Sequence, residues 1–330
     1  MELPFWKNKK VLITGGAGFV GSYVAEMLVA FGANVRVVDC VNKKEASNLK
    51  AVINNIEFLT LSLKDIHSCQ KSCQGIEIVL NLAAKVGGIS FNKAHPGNMF
   101  YENILINVNM LEAARLSNVE RYLVTSSACV YSRHCSIPTP ESEGFNDFPE
   151  AENDGYGWAK RMAEFQAEAY YREFNMKIAI ARPYNTYGPR DCFDPEKSHV
   201  IPSLIKRIFD GENPLRVWGS GEQSRSFLYV TDLARGILEV AEKYPVCDPV
   251  NLGNDEEIKI KDLVKLIIKL SNRKIDFFFD TSKPDGQPRR NCDITKAKEK
   301  IGFEARIKLE EGIKSTIDWA LNNSIIKKNE

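Results

Sequence analysis

Tyr156 and Lys160, in the run Tyr-Gly-Trp-Ala-Lys, are the side chains in this sequence best spaced for chemistry. Residues four apart on a helix lie on one face, so a phenol and an ammonium meet there. A phenol titrates near ~10 in water, and a cation beside it lowers that value. Such a pair can exchange a proton with an alcohol near neutral pH. A solvated helix face can carry the same two residues, so context decides. Thr125-Ser-Ser127, at the end of a β-branched run, adds a hydroxyl.

The second chemical feature is Gly15-Gly-Ala-Gly-Phe-Val-Gly21. Glycines at 15, 18 and 21, with Phe19 and Val20 opening a helical pattern, let the backbone turn tightly and approach a pyrophosphate, whose charge the helix N-terminus meets. A glycine-rich turn alone is weak, being common as plain punctuation. Asp39 strengthens it. It closes the second β-branched run about 20 residues beyond the turn, where a carboxylate accepts from adenosine ribose hydroxyls and repels a 2′-phosphate. NAD is therefore favoured over NADP. Asp65, after the third run, is placed either to meet the adenine edge or to cap the following helix.

These residues need a scaffold, and the flanking sequence supplies a repeating one. Short β-branched runs at Val11–Thr14, Val35–Asp39, Ile56–Thr60, Ile76–Asn81, Arg121–Ser126 and Lys177–Ala181 alternate with helical patterns, notably Val20–Phe31, Asn98–Leu116 and Gly157–Phe174. This is the rhythm of a Rossmann-type doubly wound parallel sheet. After Arg182 it loosens into Pro- and Gly-rich loops (Pro183–Pro195, Gly211–Gly221). Helical pieces follow at Val200–Phe209, Val230–Glu242, Lys261–Leu270 and Leu309–Leu321. The expected division is a dinucleotide-binding domain over 1–181 and a smaller, interleaved α/β substrate domain over 182–330, with part of 225–250 returning to the first.

Composition narrows the partners. Lys+Arg number 44 against 43 Asp+Glu, so no bulk basic field exists to hold nucleic acid or an anionic membrane. The opening residues carry no long apolar run, and a cytoplasmic enzyme is expected. Eight cysteines without a Cys-x-x-Cys pair read as free thiols, and four histidines without zinc spacing imply no metal.

With these motifs in place, the chain resembles the extended short-chain dehydrogenase/reductases, the group of sugar-nucleotide epimerases, dehydratases and reductases, from about Lys10 to about Leu321. The resemblance implies that Ser127 bonds the reacting hydroxyl, Tyr156 is the acid/base, and Lys160 holds the nicotinamide ribose and tunes the tyrosine. Leu82, Ala83, Ala84 and Pro183 would lie along the cofactor, and Asn103 would support the active site. Arg182-Pro-Tyr-Asn-Thr-Tyr-Gly-Pro189, Trp218-Gly-Ser-Gly-Glu-Gln-Ser-Arg225 and Ser282-Lys-Pro-Asp-Gly-Gln-Pro-Arg-Arg290 resemble sugar-nucleotide-binding segments. The resemblance implies substrate roles for Lys85, Asn103, Asn185, His199, Arg207, Trp218, Arg225, Lys283 and Arg290. Arginine forks suit a diphosphate. Arg289 or Arg290 taken singly also reads as a solvated loop residue.

Ala84-Lys-Val-Gly-Gly-Ile89 and Lys197-Ser-His-Val-Ile-Pro202 resemble the GDP-fucose synthases, and Ser126-Ser-Ala-Cys-Val-Tyr131 the GDP-mannose 3,5-epimerases. Both imply a GDP-sugar, and both assign proton transfer at C3 and C5 of a 4-keto sugar to the positions of Cys129 and His199. A C4 ketone acidifies the neighbouring C–H bonds, and groups titrating near ~8.5 and ~6.5 can move those protons. Cys129 apart from the resemblance reads as a small buried hydrophobe. Dehydratases of the group carry Asp-Glu where Ala128-Cys129 stands, which argues against water elimination. The expected activity is an NAD-dependent GDP-sugar epimerase. Net redox at C4 and a non-catalytic NAD sensor are the alternatives, and a homodimer through the two long helices is the expected assembly.

Overall fold

The computed structural model describes residues 5–194, 197–283 and 285–327, with residues 89 and 90 as backbone alone. Pro195 and Pro284, each part of a segment quoted above, lie outside the described residues. Strand β1 (Lys10–Thr14) leads into helix α1 (Phe19–Ala30), then β2 (Asn34–Asp39), β3 (Glu57–Thr60), α2 (Ile66–Cys73), β4 (Ile78–Asn81), α3 (Ile89–Ala94), α4 (Pro96–Leu116), β5 (Arg121–Thr125), α5 (Asp154–Phe174) and β6 (Lys177–Pro183). Beyond them come β7 (Thr186–Tyr187), α6 (Val200–Phe209), β8 (Leu215–Trp218), β9 (Ser224–Ser226), β10 (Leu228–Tyr229), α7 (Val230–Lys243) and β11 (Val246–Leu252). The chain continues through β12 (Glu257–Lys259), α8 (Ile260–Ser271), β13 (Phe277–Asp280), β14 (Arg289–Arg290), α9 (Thr295–Ile301) and α10 (Leu309–Asn322).

Seven strands form one parallel sheet in the order β11-β6-β5-β4-β1-β2-β3. Its strands read as continuous apolar runs because both faces are covered. Val11, Ile13, Ile78 and Leu80 pack beneath α1 and α7, whereas Leu12 and Val79 face the cluster made with α2, α4 and α5. The two-residue alternation of a strand thus feeds two cores at once. The expected doubly wound architecture is what the chain adopts.

β1, β4 and β5 all end at the same edge of the sheet, so Thr14, Asn81 and Thr125 arrive together with the loops that follow them. Outside the sheet, α6, α8 and α10 close a separate core around Ile201, Leu204, Ile205, Leu263, Ile267 and Ile313. Three small strand groups, β10-β7, β12-β9-β14 and β13-β8, carry the loops of the second half. These strands are two to four residues each, and β8 among them alternates buried and exposed positions. No helix among the described residues is long and apolar enough to cross a membrane.

Candidate active site

The glycine turn is built by close approach. Gly15 has φ +66°, and a Cβ there would come 2.9 Å from Ala83 Cα; a Cβ on Gly21 would come 2.3 Å from Gly15 O. Helix α1 opens at Gly18 with no side-chain cap and no acidic residue in its first turn. Its leading N–H groups, from Phe19 onward, have no acceptor within the helix, and a phosphate suits that donor set. Asp39 braces the turn from the end of β2: Oδ2 accepts from Ala17 N at 3.0 Å and Oδ1 from Val41 N at 3.4 Å. Asp65 is the cap of α2, accepting from Ser68 N at 2.8 Å, the second of the two roles its position allowed.

A buried chain of amides fixes the segment after β4. Ala83 N donates to Thr14 Oγ1 (2.9 Å), which donates to Asn81 Oδ1 (2.7 Å). Asn81 Nδ2 donates to Asn107 Oδ1 (3.0 Å), and Asn107 Nδ2 to Asn103 O (2.9 Å). Asn103 then clamps Lys85, accepting from its N and donating to its O, each at 3.0 Å. Leu82, Ala83, Ala84 and Lys85 are held in place along this ladder. Sequence reasoning found Asn103 but missed Thr14, Asn81 and Asn107, whose signal was polar residues at positions the apolar periodicity assigns to the core.

The catalytic candidates converge at the end of β5. Ser127 caps the short 3-10 turn Ala128–Val130, its Oγ accepting from Cys129 N at 3.1 Å, and its hydroxyl stands close enough to the Tyr156 phenol to favour the ionised form. Lys160 is 2% exposed, with Nζ 2.7 Å from Thr125 O and 5.4 Å from the centre of the Tyr156 ring. Burial pulls Lys160 down to about 8, opposed by Cys129 and Glu164. Burial also pushes the Tyr156 phenol above its ordinary range, with Cys129 adding and the Ser127 bond opposing. The expectation that the neighbouring ammonium would dominate and lower the phenol is therefore corrected: desolvation of both groups outweighs their attraction.

The loops of the second half add two arginines. Arg225 and Arg290 are register partners on the parallel strands β9 and β14. Arg290 donates to Glu150 Oε2 at 3.4 Å and reaches Cys129, so the thiol, Ser127, Tyr156, Lys160 and Arg290 form one cluster. Burial is the largest single influence on Arg290 and pulls it down, but the attractions of Cys129, Glu150 and Tyr184 together outweigh it, so the guanidinium stays above its ordinary value. Among the described residues Arg225 bonds only carbonyls, Ser224 O at 2.7 Å and Gln287 O at 2.8 Å, and burial with Arg290 beside it pulls it to about 10. Lys283 Nζ lies 5.8 Å from the centre of the exposed Trp218 ring, and Asn185 donates to Ser226 O at 3.0 Å. Two expected residues stand apart. Arg207 forks onto Glu212, its Nε 2.7 Å from Oε2, and also bonds Arg216 O. His199, at the start of α6, is 62% exposed at its side chain, and its bonding with Asp191 raises its pKa. The structure does not bring it into contact with Cys129.

Beneath the cluster lies a charged network that the sequence did not disclose. Glu164 and Arg182, each 2% exposed, pair through two bonds of 2.9 and 2.6 Å. Ser126 donates to Glu164, Arg182 donates to Tyr131 Oη (2.9 Å), and Tyr131 donates to Asn251 Oδ1 (2.6 Å). The network ties the ends of β5, β6 and β11 below the catalytic residues.

A doubly wound sheet bearing this glycine turn, an acidic residue closing its second strand and a Ser-Tyr-Lys cluster defines a dinucleotide-dependent enzyme of the extended short-chain dehydrogenase/reductase type. Residues 11–253 match the NAD dependent epimerase/dehydratase family, and the chain belongs to it, with NAD as its cofactor. GDP-L-fucose synthase of Escherichia coli (strain K12) is 33% identical over 329 residues, covering 96% of this chain and 98% of that protein. GDP-mannose 3,5-epimerase 1 of Oryza sativa subsp. japonica is 30% identical over 318 residues, covering 96% and 83%. Among solved structures, UDP-glucose 4-epimerase of Thermotoga maritima with UDP-glucose has a TM-score of 0.84 at 29% identity, covering 95% of this chain and 99% of that one.

Proposed function

We propose that the chain is an epimerase of a GDP-sugar that oxidises C4 transiently, exchanges protons at C3 and C5, and returns the same hydride. The observation that carries this reading is Cys129, a half-buried thiol clustered with Ser127, Tyr156 and Arg290 where a dehydratase would need carboxylates. NAD, when bound, would supply the hydride acceptor. Tyr156 exchanges the proton of the C4 hydroxyl, Ser127 orients that oxygen, and Lys160 supplies the ammonium behind the phenol. Cys129 and His199 remove and return the ring protons on opposite faces, as general acid/base groups do. Arg225 and Arg290 meet the diphosphate with forked donors.

Incubation of NAD-loaded protein with GDP-sugars in deuterated water tests the reading. Label entering C3 and C5, without net change in NADH, is expected. Redox change without label overturns it and leaves the second reading, a C4 ketoreductase or dehydrogenase, which the likeness to GDP-L-fucose synthase favours. Retained biological function in Tyr156→Phe would instead favour a non-catalytic NAD sensor.

The assembly we propose is a cytoplasmic homodimer through α4 and α5. Tyr101 and Val108 on α4 and Phe165 on α5 leave large apolar side chains in solvent on neighbouring helices, and contiguous apolar area of that kind marks an interface.

A further inference from the structure

We propose that Asp191 is the positioning residue for His199, fixing the imidazole through Nδ1 so that Nε2 is the nitrogen left to meet the sugar. This rests on the proton-carrying role given to His199 above. Asp191 lies in the loop after β7 and is 8% exposed. Its Oδ1 accepts from Cys192 N at 2.7 Å and stands 3.7 Å from His199 Nδ1. Its Oδ2 is buried and, among the described residues, has no hydrogen-bond partner. A carboxylate buried on those terms destabilises a fold unless a cation offsets it. The ion pair found for Asp191 is with His199.

The loop holds Asp191 in place through its neighbour. Arg190 sits at φ +72°, a left-handed conformation that is strained for a non-glycine residue. It is fastened there to α1, the helix of the glycine turn, by Glu26 at 2.7 Å, Ser22 Oγ at 3.1 Å and stacking over Tyr23 at 4.3 Å. Asp191 is thereby registered to the cofactor helix rather than to a free loop. His199 is fixed at its other end as the first carbonyl of α6, accepting from Ser203 N at 3.0 Å. The imidazole is anchored on one edge and open on the other, the arrangement in which a carboxylate selects the tautomer of a catalytic histidine. A 3.7 Å separation is longer than a hydrogen bond, and such contacts tighten when a substrate is bound.

Asp191 is also the charge that acts on the ring. Lys197, on the same stretch, pairs with Asp194 at 3.3 Å. On α8, the helix packed against α6, Lys261, Lys265 and Lys269 are engaged by Glu222, Asp262 and Glu310. The Asp191 carboxylate 3.7 Å away raises the His199 pKa, so the imidazolium persists to higher pH than an ordinary histidine.

The test is an NMR titration of the histidine ring protons in the NAD-loaded, full-length protein, paired with solvent-deuterium exchange. With four histidines in the chain, His199→Gln identifies the resonance. In the wild type it should titrate above the ordinary value of ~6.5. Asp191→Asn, which keeps an acceptor for Cys192 N, should move it downward, and Asp191→Glu should restore part of the shift. Deuterium entry at C3 and C5 at pH 7.5 should fall about ten-fold or more in Asp191→Asn, within what a positioned acid/base contributes. NAD binding and C4 hydride transfer should be unchanged. A wild-type His199 that titrates at or below the ordinary value overturns the proposal without any variant, as does a titration unmoved in Asp191→Asn. A moved titration with unchanged exchange also overturns it, and locates the fault in the role of His199 rather than in the pair.

Discussion

Two buried cations, Lys160 on α5 and Arg182 on β6, lie near the ends of β5 and β6, and the fold treats them oppositely. Arg182 is closed off: Glu164 takes two of its N–H groups, and Tyr131 Oη and Glu141 O take others. Lys160, equally buried, has among the described residues one carbonyl, Thr125 O, as its hydrogen-bond partner and no carboxylate bonded to it. A buried charge with matched partners is a structural joint, whereas one left short of partners holds its proton weakly and is available to a neighbour. The first cation fixes the strand ends on which Ser126 and Tyr131 sit; the second is left responsive beside Tyr156.

Breaking each site should separate the two roles. Glu164→Gln leaves Arg182 buried and uncompensated, and should destabilise the protein by about 3–5 kcal/mol in denaturant melts, with any surviving folded protein still binding NAD. Lys160→Met should do the reverse. It removes a desolvated ammonium, so stability is expected to hold or rise, while turnover falls about 10²–10⁴-fold. If Lys160→Met unfolds the chain, or Glu164→Gln costs turnover alone, the division between joint and reactive group is wrong.

The same contrast has a pH signature. Lys160 is pulled to about 8 in the folded state from 10.5. The unfolded chain therefore binds the extra proton between those values, and stability rises with pH across that window. Below pH 8 both states are protonated and the burial penalty is present in full; approaching 10.5 it is relieved, by about 3 kcal/mol in all. Urea melts of the wild type against Lys160→Met from pH 7.5 to 10.5 should show the difference closing. Turnover should move the other way, falling as the ammonium is lost above about pH 8. A flat difference would mean that the lysine is solvated.

Legibility followed distance along the chain. The glycine turn and Tyr156 with Lys160 could be read because each lies within a few residues of sequence and serves a local backbone geometry. The helix bounds came close for the same reason: Val200–Phe209 was expected and is α6. What could not be read is what the topology brings together. Thr14 and Asn81 are 67 residues apart, and Tyr131 and Asn251 are 120 apart. Neither pair carries a local pattern, and a polar residue inside an apolar strand does not name its partner. The phenol's environment was misjudged for a related reason, since sequence shows the cation but not how deeply both groups are buried.

Arg225 and Arg207, two arginines with one expected role, are treated differently by their surroundings. Arg225 bonds carbonyls, stands beside Arg290, and is drawn down to about 10 by burial and that like charge. An anion arriving there relieves the repulsion and takes open donors, so Arg225→Ala should raise KM for the sugar nucleotide by about ten- to a hundred-fold, as loss of a charged hydrogen bond does. Arg207 already has Glu212 and Arg216 O. Its pair is half-exposed, and such pairs contribute about 0–1 kcal/mol. Arg207→Ala should therefore lower stability slightly and leave KM within about two-fold of the wild type, a difference under 0.5 kcal/mol. A KM that rises as far as in Arg225→Ala would mean that the substrate draws Arg207 away from Glu212 on binding.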